Sequence, residues 1–302
     1  MKNQEIIAIR EFLGSMPEPA DRAELRQTYD NLGAIFPTAA DVALESVSAN
    51  GVPAEWATTP GAAPDRVVMY VHGGGYVIGS VKSHRHLVTE LGRAAGTRTL
   101  SVDYRLAPEH PFPAAVDDAL AAYRYLLAQG FVPGNIAIAG DSAGGGLTVA
   151  TLLAIRDAGL EQPACAFCIS PWIDLEATGN SITELADIDP MVSREGLAGM
   201  AAAYLGAASA KTPLASPLHA EYRDLAPLLI HVGAAETLLD DSIRLAGKAG
   251  AADVDVTLKV WPEMIHVWHF FHPMLETGRH AIAQGGEFIG KAMDDATKLK
   301  VA

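Results

Sequence analysis

An α/β fold built on a mostly parallel sheet is the class that the sequence predicts, and three observations predict it. Short apolar runs of strand character alternate with helix-period segments from position 67 to the C-terminal region. A glycine-flanked serine, Gly140-Asp-Ser-Ala-Gly144, separates one such strand from the helix that follows it. Hydrophobic residues make up 49% of the 302 positions and charged residues 19%, enough to bury both faces of a sheet.

Residues 1–40 read as two amphipathic helices. Ile6, Ile9 and Leu13 share one helical face, Leu25, Tyr29, Leu32 and Phe36 share another, and Pro17 and Pro19 separate them. Residues 42–48 alternate, Asn50-Gly51 is a two-residue hairpin turn, and 52–58 return as its second strand. Further strands are expected at 67–71, 97–102, 136–139, 164–169, 228–232 and 254–260. Helices are expected at 84–95, 115–128, 145–158, 241–249 and 273–291, which places helices on both faces of a parallel sheet. The interval 172–227 has no strand signal, only helical pieces at 182–186 and 194–204, and an insertion that long reads as a lid. The expected organisation is therefore cap helices over 1–40 and a catalytic domain over 41–302 with a cap insertion at about 172–227.

Composition narrows the partners. The chain carries 22 Lys and Arg against 36 Asp and Glu, a net charge of −14 that disfavours nucleic acid and anionic membrane surfaces. Residues 1–14 include Glu5 and Glu11 and no long apolar run, so no signal peptide is read there. No run approaches the roughly 18 apolar residues of a membrane span. Cys165 and Cys168 have CxxC spacing but sit in an apolar run without a nearby His or second Cys pair, so they read as buried strand cysteines. The expected compartment is the cytoplasm.

The chemistry centres on Ser142. A serine on a tight strand-to-helix turn projects above the sheet at the positive end of a helix, and small flanking residues let the backbone turn that sharply. His72-Gly73-Gly74-Gly75 follows the strand at 67–71, and consecutive glycines can present backbone N–H donors to a developing oxyanion. The expected donors are the N–H groups of Gly73, Gly74 and Ala143. A phosphate loop is the other reading of these glycines, but neither the helix start nor the ribose-binding acid of a dinucleotide site follows them.

Chain order then asks for an acid and a histidine after the serine. Of 10 histidines, His266 lies just beyond the last strand, whereas His269 and His272 fall where the closing helix should begin. Glu236 comes first after the strand ending near Gly233 and is the expected acid. Asp240 is the second candidate, since Asp240 and Asp241 read as the cap of the next helix. The proline-rich run 104–113 reads as a structural brace, with Asp103 and Arg105 paired beneath the site.

Three motifs in order, His72-Gly-Gly-Gly75, Asp103-Tyr-Arg-Leu-Ala-Pro-Glu-His-Pro-Phe-Pro113 and Gly140-Asp-Ser-Ala-Gly-Gly145, resemble the hormone-sensitive-lipase-like α/β-hydrolases, the bacterial family IV esterases. The resemblance runs from about position 67 to the C-terminus. It implies the α/β-hydrolase fold, a helical cap, and neither cofactor nor metal. It makes Ser142 the nucleophile, His266 the base, and Gly73, Gly74 and Ala143 the oxyanion hole. Many members carry an aspartate-proline-leucine sequence where this chain has Glu236-Thr-Leu-Leu-Asp240, which aligns Glu236 with the catalytic acid.

The implied reaction is hydrolysis of small hydrophobic acyl esters through an acyl-enzyme. Trp261-Pro-Glu-Met-Ile-His-Val-Trp268 also resembles the monoterpene ε-lactone hydrolases, which keeps a cyclic ester as an alternative substrate. A non-catalytic receptor on the same fold is the third reading, and such receptors lack the working histidine. Tyr76, Met264 and Trp268 are expected to help shape the pocket. The expected partner is a small-molecule ester or lactone, with no nucleic acid and no membrane span; a homodimer is left open.

Overall fold

A computed structural model describes residues 3–17 and 19–299. Met1, Lys2 and Glu18 of the expected 1–40 segment, and Lys300 to Ala302 of the expected 41–302 domain, lie outside the described residues. The chain begins with helices α1 (Gln4–Gly14) and α2 (Arg22–Ala34), capped by the side chains of Asn3 and Asp21. The hairpin β1 (Ala43–Ala49) and β2 (Val52–Thr58) turns at Asn50 and Gly51, both at positive φ, as a tight two-residue turn requires.

The alternating part follows as β3 (Ala63–Val71), α3 (Val81–Ala95), β4 (Thr97–Val102), α4 (Ala114–Ala128), β5 (Ile136–Asp141), α5 (Ala143–Asp157) and β6 (Cys165–Ile169). Two short pieces, α6 (Ser181–Glu184) and α7 (Arg194–Leu205), lie before β7 (Leu228–Gly233). The chain closes with α8 (Leu239–Ala251), β8 (Val256–Trp261) and α9 (Glu276–Leu299). Among the described residues eight strands form one sheet in the order β1-β2-β4-β3-β5-β6-β7-β8, parallel from β4 to β8 and antiparallel at β1 and β2. This is the α/β-hydrolase fold.

The centre of the sheet is apolar on both faces, while the edge strands β1 and β8 are largely part-buried or exposed, and the period of two along each strand sorts its side chains. Val67, Met69 and Val71 of β3 belong to the core beneath α4 and α5, while Val68 and Tyr70 belong to the core beneath α3 and α9. Cys165 and Cys168 are free thiols buried in β6, and burial pushes the Cys168 thiol up to about 12, so both behave as strand cysteines. No helix among the described residues is long and apolar enough to cross a membrane.

The brace is built differently from the expected pairing. Arg105 does not meet Asp103; its guanidinium reaches Asp118 on α4 at 2.8 Å, and its backbone N–H donates to the same carboxylate at 2.9 Å. Asp103 continues the β4 pairing, its N–H donating to Pro53 O at 2.9 Å, so the two side chains leave the turn in different directions. Tyr104, between them, donates its hydroxyl to His72 O at 2.7 Å and so ties the brace to the glycine-rich loop.

Buried neutral histidines give stability a pH dependence. Burial holds His72, His86 and His231 down at about 3 and His272 at about 4. The unfolded chain binds these protons near pH 6.5, and the folded chain refuses them until about pH 3 to 4. Their contribution is therefore complete above pH 6.5 and lost as pH falls below it, by up to about 1.4 kcal/mol per group per pH unit. His266, raised above its ordinary value, acts in the opposite sense but only above pH 6.5, where its stabilisation is lost as pH rises, so it adds no slope below that pH. Tm measured by calorimetry at fixed ionic strength should fall steadily from pH 6.5 to 4.5; a flat profile would contradict the burial of these rings.

Candidate active site

β5 delivers the chain to Ser142, which holds φ 55° and ψ −121° between the strand and α5. That left-handed backbone is strained for a residue with a side chain, and its neighbours lock it. The Ser142 N–H donates to Ile169 O at 2.8 Å, and its carbonyl accepts the N–H groups of Trp172 at 2.9 Å and Gly146 at 3.1 Å. The flanking glycines are required by close approach. A Cβ on Gly140 would lie 2.5 Å from Val71 O, and one on Gly144 would lie 2.1 Å from the same carbonyl. The pentapeptide is thus wedged against the end of β3, beside the loop His72–Gly75.

That loop is held from below by Asp141, fully buried one residue before the serine. Its Oδ1 accepts the Tyr70 hydroxyl at 2.7 Å and the Gly73 N–H at 3.1 Å, and its Oδ2 lies 3.3 Å from His84 Nε2. Burial works against this carboxylate's charge, but the nearby His84 and the hydrogen bonds outweigh it and hold its pKa below the usual range. The expectation for Gly73 is corrected here: its N–H is already given to Asp141, because the loop turns inward at its first glycine. Gly74, at φ 110°, and Gly75, at φ 61°, border the cavity above Ser142, and Ala143 opens α5 where an N–H lacks an intrahelical acceptor.

His266 stands beyond β8 with its Nδ1 3.2 Å from Glu236 Oε1, leaving Nε2 as the ring nitrogen available toward the cavity. Glu236 is fully buried on the turn after β7, and its Oε2 accepts the Ser170 hydroxyl at 2.8 Å and the Gly233 N–H at 2.9 Å. Asp240 lies in the first turn of α8, accepts Ser181 N–H at 3.1 Å and makes no bond to His266. Burial opposes protonation of the His266 ring, yet the hydrogen bond and charge of Glu236, with the charges of Asp189 and Asp141, raise its pKa above the ordinary imidazole value.

His269 and His272 are held elsewhere. His269 lies in a single 3₁₀ turn, Trp268–Phe271, with its Nε2 3.1 Å from His231 Nδ1, and His272 stacks on His86 at 5.5 Å.

Ser142, His266, Gly74 and Gly75 share one cavity of about 140 Å³. Its apolar wall comes from Tyr29 of α2, Ile78, Trp172, and Met191, Val192, Leu197 and Met200 of the interval before β7. A larger groove of about 670 Å³ at Trp56 and Arg98 contains none of these residues. Three expected pocket residues do not reach the cavity. Tyr76 lies beneath the loop with its ring stacked on Tyr204 at 3.7 Å. Met264 is buried and its carbonyl accepts Ala235 N–H at 3.0 Å, while Trp268 is buried against His269 at 4.1 Å. The backbone turns through a left-handed Val267 there, so the neighbours of His266 in sequence point into the core.

Two supporting residues carry no motif of their own in the sequence. Asp141 was visible only as the variable position of the pentapeptide. Ser170 follows β6, and its hydroxyl both donates to Glu236 and accepts Val267 N–H at 3.1 Å, joining the acid to the histidine loop. Its signal was its place at the carboxyl end of a parallel strand, where sites in such sheets gather. Asp174, Glu176 and His219 have donor atoms within 4.8 Å of one another, but Asp174 Oδ2 is engaged by Arg244 at 3.0 Å and Thr178 N–H at 2.9 Å.

Comparison with known proteins agrees with this architecture. A family model described as alpha/beta hydrolase fold matches residues 68–270. An acetyl-hydrolase of Streptomyces hygroscopicus is 49% identical over 81% of this chain and 82% of its own length. An esterase of Acinetobacter venetianus is 34% identical over 87% of each. The crystal structure of an esterase from the bacterial hormone-sensitive lipase family superposes with a TM-score of 0.95 at 48% identity, covering 97% of this chain and 99% of that one.

Proposed function

The chain belongs to the alpha/beta hydrolase fold family and to its bacterial hormone-sensitive-lipase-like esterases, and from that premise we propose that Ser142, His266 and Glu236 carry its ester hydrolysis. The protein is a carboxylesterase. The observation that supports the residue assignment is the 3.2 Å contact from Glu236 to His266 Nδ1, with His266 and Ser142 on one cavity.

In the reading we propose, His266 Nε2 takes the hydroxyl proton as Ser142 Oγ attacks the acyl carbon. The carbonyl oxygen gains the charge, and the N–H groups of Gly74, Gly75 and Ala143 stabilise it. Collapse breaks the ester bond, the alcohol leaves with the proton from His266, and an acyl group stays on Ser142. Water then repeats the cycle, giving up a proton to His266, and the carboxylic acid departs. Residues 1–40 and about 172–227 act as the cap, since both supply walls to the cavity. A cavity of about 140 Å³ with apolar walls suits a compact apolar acyl group.

The test is a substrate panel with an active-site label. p-Nitrophenyl acetate and butyrate should be cleaved at least about a hundredfold more efficiently than the palmitate, with ε-caprolactone assayed beside them. A fluorophosphonate should inactivate the enzyme at one equivalent, and peptide mapping should place the adduct on Ser142. An adduct on another residue, or activity that survives full labelling, would refute the assignment.

A further inference from the structure

Asp189 lies in the interval before β7, next to a proline, and is nine-tenths buried with a relative exposure of 9%. A carboxylate is left there only if donors replace its water. Its Oδ2 accepts Thr237 N–H at 2.8 Å and the Thr237 hydroxyl at 3.1 Å. Its Oδ1 accepts Met191 N–H at 2.9 Å and Val192 N–H at 3.1 Å. The two oxygens therefore serve two different places. One grips the residue directly after Glu236, and the other shapes the segment whose Met191 and Val192 wall the cavity. The Arg10 guanidinium of α1 donates to Ile188 O beside it and contributes an opposite charge.

We infer that Asp189 is a positioning residue that couples the apolar wall of the substrate cavity to the acid behind His266. The inference rests on the assignment of Ser142, His266 and Glu236 above. A carboxylate split in this way transmits displacement: moving the wall moves Thr237, and moving Thr237 moves the turn that aims Glu236. The charged groups bearing on the His266 ring are Glu236, Asp189 and Asp141, so Asp189 also favours the protonated ring.

The decisive variant is Asp189→Asn, which keeps the shape and removes the charge. One oxygen becomes an NH₂ group, so either Thr237 or the pair Met191 and Val192 faces a donor instead of an acceptor. With active sites counted by fluorophosphonate titration, kcat/KM on p-nitrophenyl butyrate is expected to fall about ten- to a hundredfold. Loss of the anion makes imidazolium easier to deprotonate, so the acid limb of kcat/KM should move to lower pH, by about half a unit. The KM ratio of hexanoate to butyrate esters should change as the wall shifts.

A merely structural residue would lower Tm and leave the limb and the acyl preference of the titrated sites unchanged, and that outcome overturns the inference. If Asp189→Asn yields no folded protein, Thr237→Val decides instead. It removes only the hydroxyl on the acid side, so kcat should fall severalfold with acyl preference intact, and an unchanged kcat overturns the inference. Ser142→Ala in parallel separates the two levels. An active Ser142→Ala defeats the site assignment itself, whereas an inert one beside a wild-type-like Asp189→Asn defeats only the coupling.

Discussion

Ser142→Ala is expected to lower kcat on p-nitrophenyl butyrate by about four to six orders of magnitude, the scale on which removal of a serine nucleophile acts in other hydrolases. In the proposed assignment the loss is large because the serine, histidine and acid act as a unit: without Oγ no acyl-enzyme forms, and His266 has no serine proton to take. What remains is binding and the backbone donors at Gly74, Gly75 and Ala143, which can still stabilise attack by water. The fold should hardly notice. The locking hydrogen bonds at position 142 use its backbone N–H and carbonyl, and alanine keeps both. A thermal melt beside the kinetics checks this, and retention of more than a tenth of the activity with an intact melt would remove Ser142 from the reaction.

Glu236→Gln is the second large effect, with an expected loss of about 10² to 10⁴ in kcat, and the geometry says why. Glu236 Oε2 accepts two donors, from Ser170 and Gly233, so the amide oxygen of the variant would settle there. Its NH₂ group would then face His266 Nδ1, 3.2 Å away in the native protein. Facing a donor, Nδ1 must become the acceptor, which puts the ring proton on Nε2 and disables the base toward Ser142. The acid limb of kcat/KM should also move to lower pH, since Glu236 is the principal group that raises the His266 pKa. Asp240→Asn is the control. It touches Ser181 and the start of α8, so activity should stay within about threefold of wild type. If Asp240→Asn were the crippled variant, the acid would have been misassigned.

Much of this is legible in the chain itself. Strands β5, β6 and β7 announce themselves because both faces of the sheet are covered there, so each is a short, nearly unbroken apolar run buried at every position. The hairpin was legible from Asn50 and Gly51 alone, since few other pairs tolerate two positive φ angles in succession. The candidate nucleophile was legible for the same reason: Gly140 and Gly144 mark where no Cβ fits.

The failures have a common cause. Gly73 and Gly74 are chemically identical in sequence, and only the buried carboxylate of Asp141 spends one N–H and leaves the other. Tyr76, Met264 and Trp268 neighbour motif residues in sequence, but a turn reverses direction within one residue. Arg105 was matched with its neighbour Asp103, whereas a long guanidinium found Asp118 on the next helix.

Local backbone demands are written in neighbouring residues, so the order of elements, the strained serine turn and the glycine-rich loop could be read from the chain directly. Which acid meets the histidine, which N–H stays free, and which side chains wall the cavity depend on segments tens to more than a hundred residues apart. Glu236 and Asp240 differ by four positions and look alike as carboxylates. The register of β7 beside β8 sets one of them against His266, and the start of α8 turns the other toward Ser181. Distances of that kind are fixed by packing across the sheet, and no periodicity within a single segment encodes them.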